Sequence, residues 1–179
     1  LPAYKNMKVA TETGIKPAKN QISIKHLLNM TSGLCYPGEE TISEKTMADL
    51  QQQMLSDVAA GKKLGTVEIC NILAQTPLEF EPGSSWKYGF SADVLGAIVE
   101  VVSGMTYGEF LKKEIFQPLE MYDTDFLVPE EKLPRLAKMY SRNPETGKCE
   151  TPSPEKFHWL GLDNPSKAPN IESAGGGLY

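Results

Sequence analysis

The chain has 179 residues, 40% of them hydrophobic and 23% charged, and its formal net charge is −5. That size suits one ordinary domain with enough apolar content for a core, and it excludes a disordered tail or a basic nucleic-acid-binding surface. No apolar run is long enough to span a membrane, and no charged start followed by an apolar stretch marks a signal peptide.

Residues 1–21 are polar and turn-rich and read as an irregular lead-in, followed by an expected helical core over 22–136. Ser23 has the character of an N-cap for a short helix carrying Ile24, Leu27 and Leu28, closed by Gly33. From Ser43 to about Ala60, Met47, Leu50, Met54, Leu55 and Val58 recur at helical spacing, and Gly61 supplies the stop. Thr66 opens a run through Val67, Ile69, Ile72 and Leu73 that must end before Pro77. Ser91 or a neighbour starts the helix holding Val94, Leu95, Ile98, Val99 and Val102, which stops at Gly104. Thr106 and Glu109 form a capping-box pattern for a helix with Phe110, Leu111 and Ile115 facing inward. Pro129 to Leu136 predicts one more short helix.

Beyond that point the texture changes. Ala137–Ser141 and Lys148–Thr151 flank Asn143-Pro144-Glu145-Thr146-Gly147, a hairpin signal with glycine in the turn, so a β-hairpin is expected over 137–151. Residues 152–179 read as a proline-rich loop and a glycine-rich return. The fold class is therefore mainly α (α+β), one helical unit of at least five helices with a single small hairpin. Cys35, Cys70 and Cys149 are odd in number and widely separated, which argues against a disulfide framework or a zinc site. Buried or partly buried free thiols are expected, with no metal and no cofactor.

Four segments carry a resemblance. Glu81-Pro82-Gly83 leads through Trp86-Lys87-Tyr88-Gly89-Phe90 into the apolar helix at Asp93-Val94-Leu95-Gly96. Ile22–Leu34 contains Leu27-Leu28 and then Thr31-Ser32-Gly33-Leu34; Asp93–Met121 is a long helical stretch; Ser173-Ala174-Gly175-Gly176-Gly177-Leu178 is glycine-rich. In this order and at these separations they resemble the penicillin-recognising serine hydrolases: class C β-lactamases, D-alanyl-D-alanine carboxypeptidases of that branch, and their esterase relatives. The resemblance implies the helical subdomain of the β-lactamase/transpeptidase-like fold, with the main sheet largely absent from this chain. It also implies a small-molecule or peptide acyl substrate, without a nucleic-acid partner or a membrane segment.

In that family the tyrosine of a Tyr-x-Asn motif is a general base beside a Ser-x-x-Lys nucleophile, and Tyr88 takes its place here. A phenol has an ordinary pKa near 10, so the role needs a cationic neighbour or a proton shared with that lysine. Phe90 occupies the substrate-binding asparagine position. An amide there both donates and accepts, which phenylalanine cannot do, so β-lactam turnover is disfavoured and an ester or an uncommon peptide favoured. The family's Ser-x-x-Lys lies upstream of the Thr-Ser-Gly-Leu segment and its third motif downstream of the glycine run. The chain begins at Leu1 rather than methionine, so it reads as a middle piece of a longer hydrolase, inactive alone. The alternative is a non-catalytic sensor or binding module on the same fold, with Tyr88 kept for packing; an unrelated helical interaction domain would make the ordered matches coincidence.

Other candidates compete poorly. Ser84-Ser85-Trp86-Lys87 and Ser153-Pro154-Glu155-Lys156 are Ser-x-x-Lys strings, but both fall in turns or proline-rich loops without helical geometry. Gly89-Phe90-Ser91-Ala92-Asp93 lacks the last glycine of a nucleophile elbow, so an N-cap role suits Ser91 better. His26 reads as a surface or packing residue, and His158 lies in an aromatic stretch without an identifiable serine for a triad. Gly175-Gly176-Gly177 lacks the Lys-Ser/Thr of a phosphate loop and suits close backbone packing instead.

Overall fold

A computed structural model describes residues 1–138, 140–151 and 167–179. Its elements are β1 (Lys8–Thr11), β2 (Gly14–Pro17), α1 (Ile24–Leu28), α2 (Ile42–Ala59), α3 (Thr66–Leu73), α4 (Ser91–Ser103), α5 (Tyr107–Leu111), β3 (Ser141–Arg142) and β4 (Cys149–Glu150). A π-helical turn over Lys112–Phe116 extends α5, and 3-10 turns occur at Pro2–Tyr4 and Glu130–Arg135. Helix dominates and both sheets are two-stranded, as expected of a helical subdomain with a small hairpin.

The helix starts follow the side chains that can satisfy free backbone N–H groups. Ser23 and Thr106 accept from the amides of His26 and Glu109, and α2 starts at Ile42 because Thr41 accepts from Glu44. Glycine ends α4, where Gly104 takes φ +71°. Gly33 does not end α1, which stops at Leu28 with Met30 already in the left-handed region. Gly33 instead lets residues 31–34 lie against the carbonyl of Phe80, which a Cβ would approach to 2.7 Å.

Three expectations are corrected. The lead-in contains an antiparallel hairpin, β1–β2, because Met7 and Val9 alternate with Lys8 and insert into the core. At the end of α5, Phe116 is buried and Ile115 exposed. The π-turn carries an extra residue per turn, which rotates the inward face by one position. Val102 points to solvent, and Cys149 is an exposed free thiol on β4, while Cys35 and Cys70 are buried.

Two cores meet at α3 and α4. One gathers Met47, Met54, Ile69, Leu73, Phe90 and Ile171; the other gathers Val9, Leu27, Leu34, Leu78, Val94 and Ala97. Burying each large aliphatic side chain among these contributes about 1.5–3 kcal/mol. A smaller cluster of Leu111, Phe116 and Phe126 seats the chain after α5. Among the described residues no single helix is long and apolar enough to cross a membrane.

Candidate active site

The turn at Pro82-Gly83, with Gly83 at φ +88°, brings residues 83–90 alongside residues 30–36. The Gly83 amide donates to the Thr31 carbonyl and the Lys87 amide to the Met30 carbonyl. Lys87 Nζ lies 2.7 Å from Glu44 Oε1 and 2.8 Å from Glu79 Oε2. The Glu44 and Glu79 carboxylates hold the Lys87 ammonium well above its ordinary range. After Tyr88 the chain passes so close to residues 34 and 35 that a Cβ on Gly89 would lie 2.3 Å from the Leu34 carbonyl oxygen. Only glycine fits there.

Tyr88 is thereby fixed at the entrance to α4 with its side chain 53% exposed. Its ring meets Tyr36 edge-on at 5.4 Å, and Tyr36 meets the buried Phe90 ring at 4.6 Å. Burial raises the Tyr36 hydroxyl most, and the neighbouring Asp93 and Tyr88 add to the rise, in part through a hydrogen bond between the two tyrosines. Asp93 in the first turn of α4 is only 2% exposed, and burial raises its carboxyl. It accepts from the hydroxyl of Ser173, whose oxygen in turn accepts from the Gly175 amide. The glycine run thus packs against Asp93 and Tyr36, with the Gly175 Cβ position 3.5 Å from Asp93 Oδ2 and 3.6 Å from Tyr36 Oη.

Phe90 is the N-cap residue of α4, and Ser91 is its first helical residue, which corrects the cap expected at Ser91. Ser91 instead shares a buried hydrogen bond of 2.8 Å with Ser32, whose hydroxyl also accepts from the Leu34 amide. The Ser84–Lys87 string lies in an irregular turn with Lys87 already paired, so it lacks the helical geometry of a nucleophile pair. His26 completes the Ser23 capping box and packs against Gly83. Ser153, Lys156 and His158 lie outside the described residues. The described residues hold no cluster of three metal-ligating side chains. A groove of about 290 Å³ lined by Tyr122, Leu127, Val128 and Lys132 shares no residue with these surroundings.

The site also contains residues that sequence reasoning missed: Tyr36, Asp93, Ser173 and the Glu44–Glu79 pair. Asp93 left a signal, as a carboxylate inside an otherwise apolar helical run. Chemically, the arrangement presents a half-exposed tyrosine with a second tyrosine hydroxyl beside it. A phenol so placed can accept one hydrogen bond and still give or take a proton on its open side.

The sequence profile of the beta-lactamase family matches residues 14–179. The chain is similar to Esterase EstB of Burkholderia gladioli, 35% identical over 109 residues that cover 61% of this chain and 27% of the esterase. Its fold is similar to that of simvastatin synthase (LovD) from Aspergillus terreus, with a TM-score of 0.71 at 26% identity, covering 99% of this chain and 42% of that one. It is likewise similar to EstCE1, a hydrolase with promiscuous acyltransferase activity, with a TM-score of 0.70 at 25% identity over 99% of this chain and 45% of that one. The chain spans less than half the length of each of these relatives.

Proposed function

The chain belongs to the beta-lactamase family, and from that premise we propose that Tyr88 handles the proton of a serine nucleophile during acyl transfer in the full-length protein. The observation that supports this reading is Tyr88 half exposed on a turn fixed by the Gly83, Lys87 and Gly89 contacts, with its ring edge-on to Tyr36. The nucleophile and its lysine come from a Ser-x-x-Lys pair outside residues 1–179. Lys87 is already committed to two carboxylates, and the turn at Ser84 cannot align such a pair. Residues 1–179 alone are accordingly inactive toward esters and β-lactams.

The serine oxygen attacks the substrate carbonyl and forms the acyl–oxygen bond while its proton passes to the Tyr88 oxygen and the tyrosine's own proton moves on to the neutral lysine amine. That proton then goes to the leaving alkoxide as the old acyl–oxygen bond breaks. Water or an acceptor alcohol repeats the exchange in reverse, giving hydrolysis or transfer. Backbone amides stabilise the oxyanion.

Phe90 shapes substrate preference from the family's asparagine position. Its ring supports Tyr36 and offers no amide to a substrate amide, which favours esters over β-lactams. The names of Esterase EstB and of EstCE1, a hydrolase with promiscuous acyltransferase activity, support acyl-ester chemistry.

Tyr88→Phe in the full-length protein tests the reading, since it removes one oxygen and keeps the packed ring. Turnover of a p-nitrophenyl ester is expected to fall about 10²–10⁴-fold, the usual contribution of a general acid–base group. Folding stability should move by less than about 1 kcal/mol. A variant that keeps its full rate would return Tyr88 to packing, whereas a full-length protein without ester turnover would be the binding module.

A further inference from the structure

We propose that Lys87 is a positioning residue for Tyr88, acting through an ion clamp with Glu44 and Glu79 that fastens the tyrosine's turn to the start of α2. The proposal rests on the reading of Tyr88 as the proton-transfer group.

The clamp is built from both ends. Lys87 directly precedes Tyr88, and its Nζ contacts Glu44 and Glu79 within 2.8 Å. The carboxylates are themselves held: Glu44 Oε2 accepts from the amides of Glu40 and Thr41, and Glu79 Oε1 accepts from the Thr41 hydroxyl. One residue beyond Tyr88, Gly89 is pressed against the Leu34 carbonyl. The tyrosine therefore sits between a charged tether on one side and a steric stop on the other.

The network outweighs an ordinary surface ion pair because of what its removal leaves behind. Two carboxylates converge on one ammonium, both with mostly buried side chains. Without the cation they repel, and one must leave the site or take up a proton. Either change frees the Lys87–Tyr88 step, and a shift of about 1 Å in a catalytic group can cost about 10²-fold in rate.

The test is a double-mutant cycle on the full-length protein with p-nitrophenyl butyrate. Lys87→Met is expected to lower kcat about 10–100-fold with KM changed less than about threefold, because geometry rather than binding is lost. In a Tyr88→Phe background the same change should move kcat by less than about twofold, since the group it positions is gone. Lys87→Arg, which keeps the charge, should recover most of the rate. If Lys87→Met fails to fold, Glu79→Gln carries the same cycle, because it removes one arm of the clamp and keeps the Glu44 pair.

A Lys87→Met protein with wild-type kcat would overturn the proposal, as would a loss of equal size in both backgrounds. A Tyr88→Phe protein at full rate would remove the reading of Tyr88 and the proposal together. A slow Tyr88→Phe protein without coupling to Lys87 would remove the proposal alone.

Discussion

Two three-residue ion clusters in this protein have inverted charge balance and opposite surroundings. At the foot of α2, Lys87 bridges Glu44 and Glu79, whose side chains are 11% and 10% exposed. After α5, Asp123 bridges Lys132 and Arg135, with Asp123 56% and Arg135 67% exposed. In the first, each carboxylate also accepts from the backbone or from Thr41, so the charges define one geometry. In the second the same chemistry is screened by water, and its bonds are replaceable by solvent at little cost. The difference teaches where this fold holds atoms in place: the turn before α4 is fixed by buried polar contacts, whereas the segment after α5 relies on a small apolar cluster.

The strongest way to break the contrast is Gly89→Ala, which forces a methyl group onto the Leu34 carbonyl. Because the chain must shift beside Tyr88, ester turnover should fall about 10²-fold. Overpacking should cost about 1–3 kcal/mol, read from a denaturant titration. Near-normal turnover would mean that the turn is softer than its contacts indicate.

A subtler experiment uses pH. Burial raises the Asp93 carboxyl above its ordinary value of 3.8. Its folded form therefore holds the proton more tightly than the unfolded chain does. The resulting stability is complete below 3.8 and is lost as pH rises through the folded value. Glu44 behaves in the opposite sense, because the hydrogen bond from Lys87 lowers it below 4.5, and its contribution is lost as pH falls. Asp93→Asn should flatten the first slope and leave the second, in denaturant midpoints measured across the acidic range. An unchanged slope would show that Asp93 is not the titrating group.

The smallest effect is expected from Asp123→Asn in the exposed cluster. The melting temperature should stay within the scatter of repeated scans, and added salt should erase any residual difference. A clear loss of stability would place that cluster in the same class as the clamp at Lys87.

What could be read from the sequence follows from the range of the interactions involved. Ser23, Thr41 and Thr106 cap helices through bonds to residues three positions away, so the starts of these helices could be located within a residue or two. Tyr88 could be singled out as a candidate because its turn chemistry and the following apolar helix are continuous in the chain. Tyr36, Asp93 and Ser173 were missed because their partners are distant: the Ser173–Asp93 bond spans 80 positions, and the Lys87–Glu44 bond spans 43. The lead-in hairpin escaped notice because only Met7 and Val9 mark its buried face. Phe116 was missed for a local reason, since a π-turn breaks the very periodicity used to find it.

The bridge between β1 and the chain at Leu78 has a consequence in time. The Leu78 amide donates to the Lys8 carbonyl and the Ala10 amide to the Leu78 carbonyl, so the first strand has no backbone partner on that side until Leu78 exists. Translation adds about 5–20 residues per second, so β1 waits several seconds on the ribosome before its bridge to Leu78 can form. The turn carrying Tyr88 begins three residues after Leu78 and is made almost as soon as that strand can dock. Anchoring of the amino-terminal hairpin and assembly of the tyrosine's surroundings are thereby linked in one late step of synthesis.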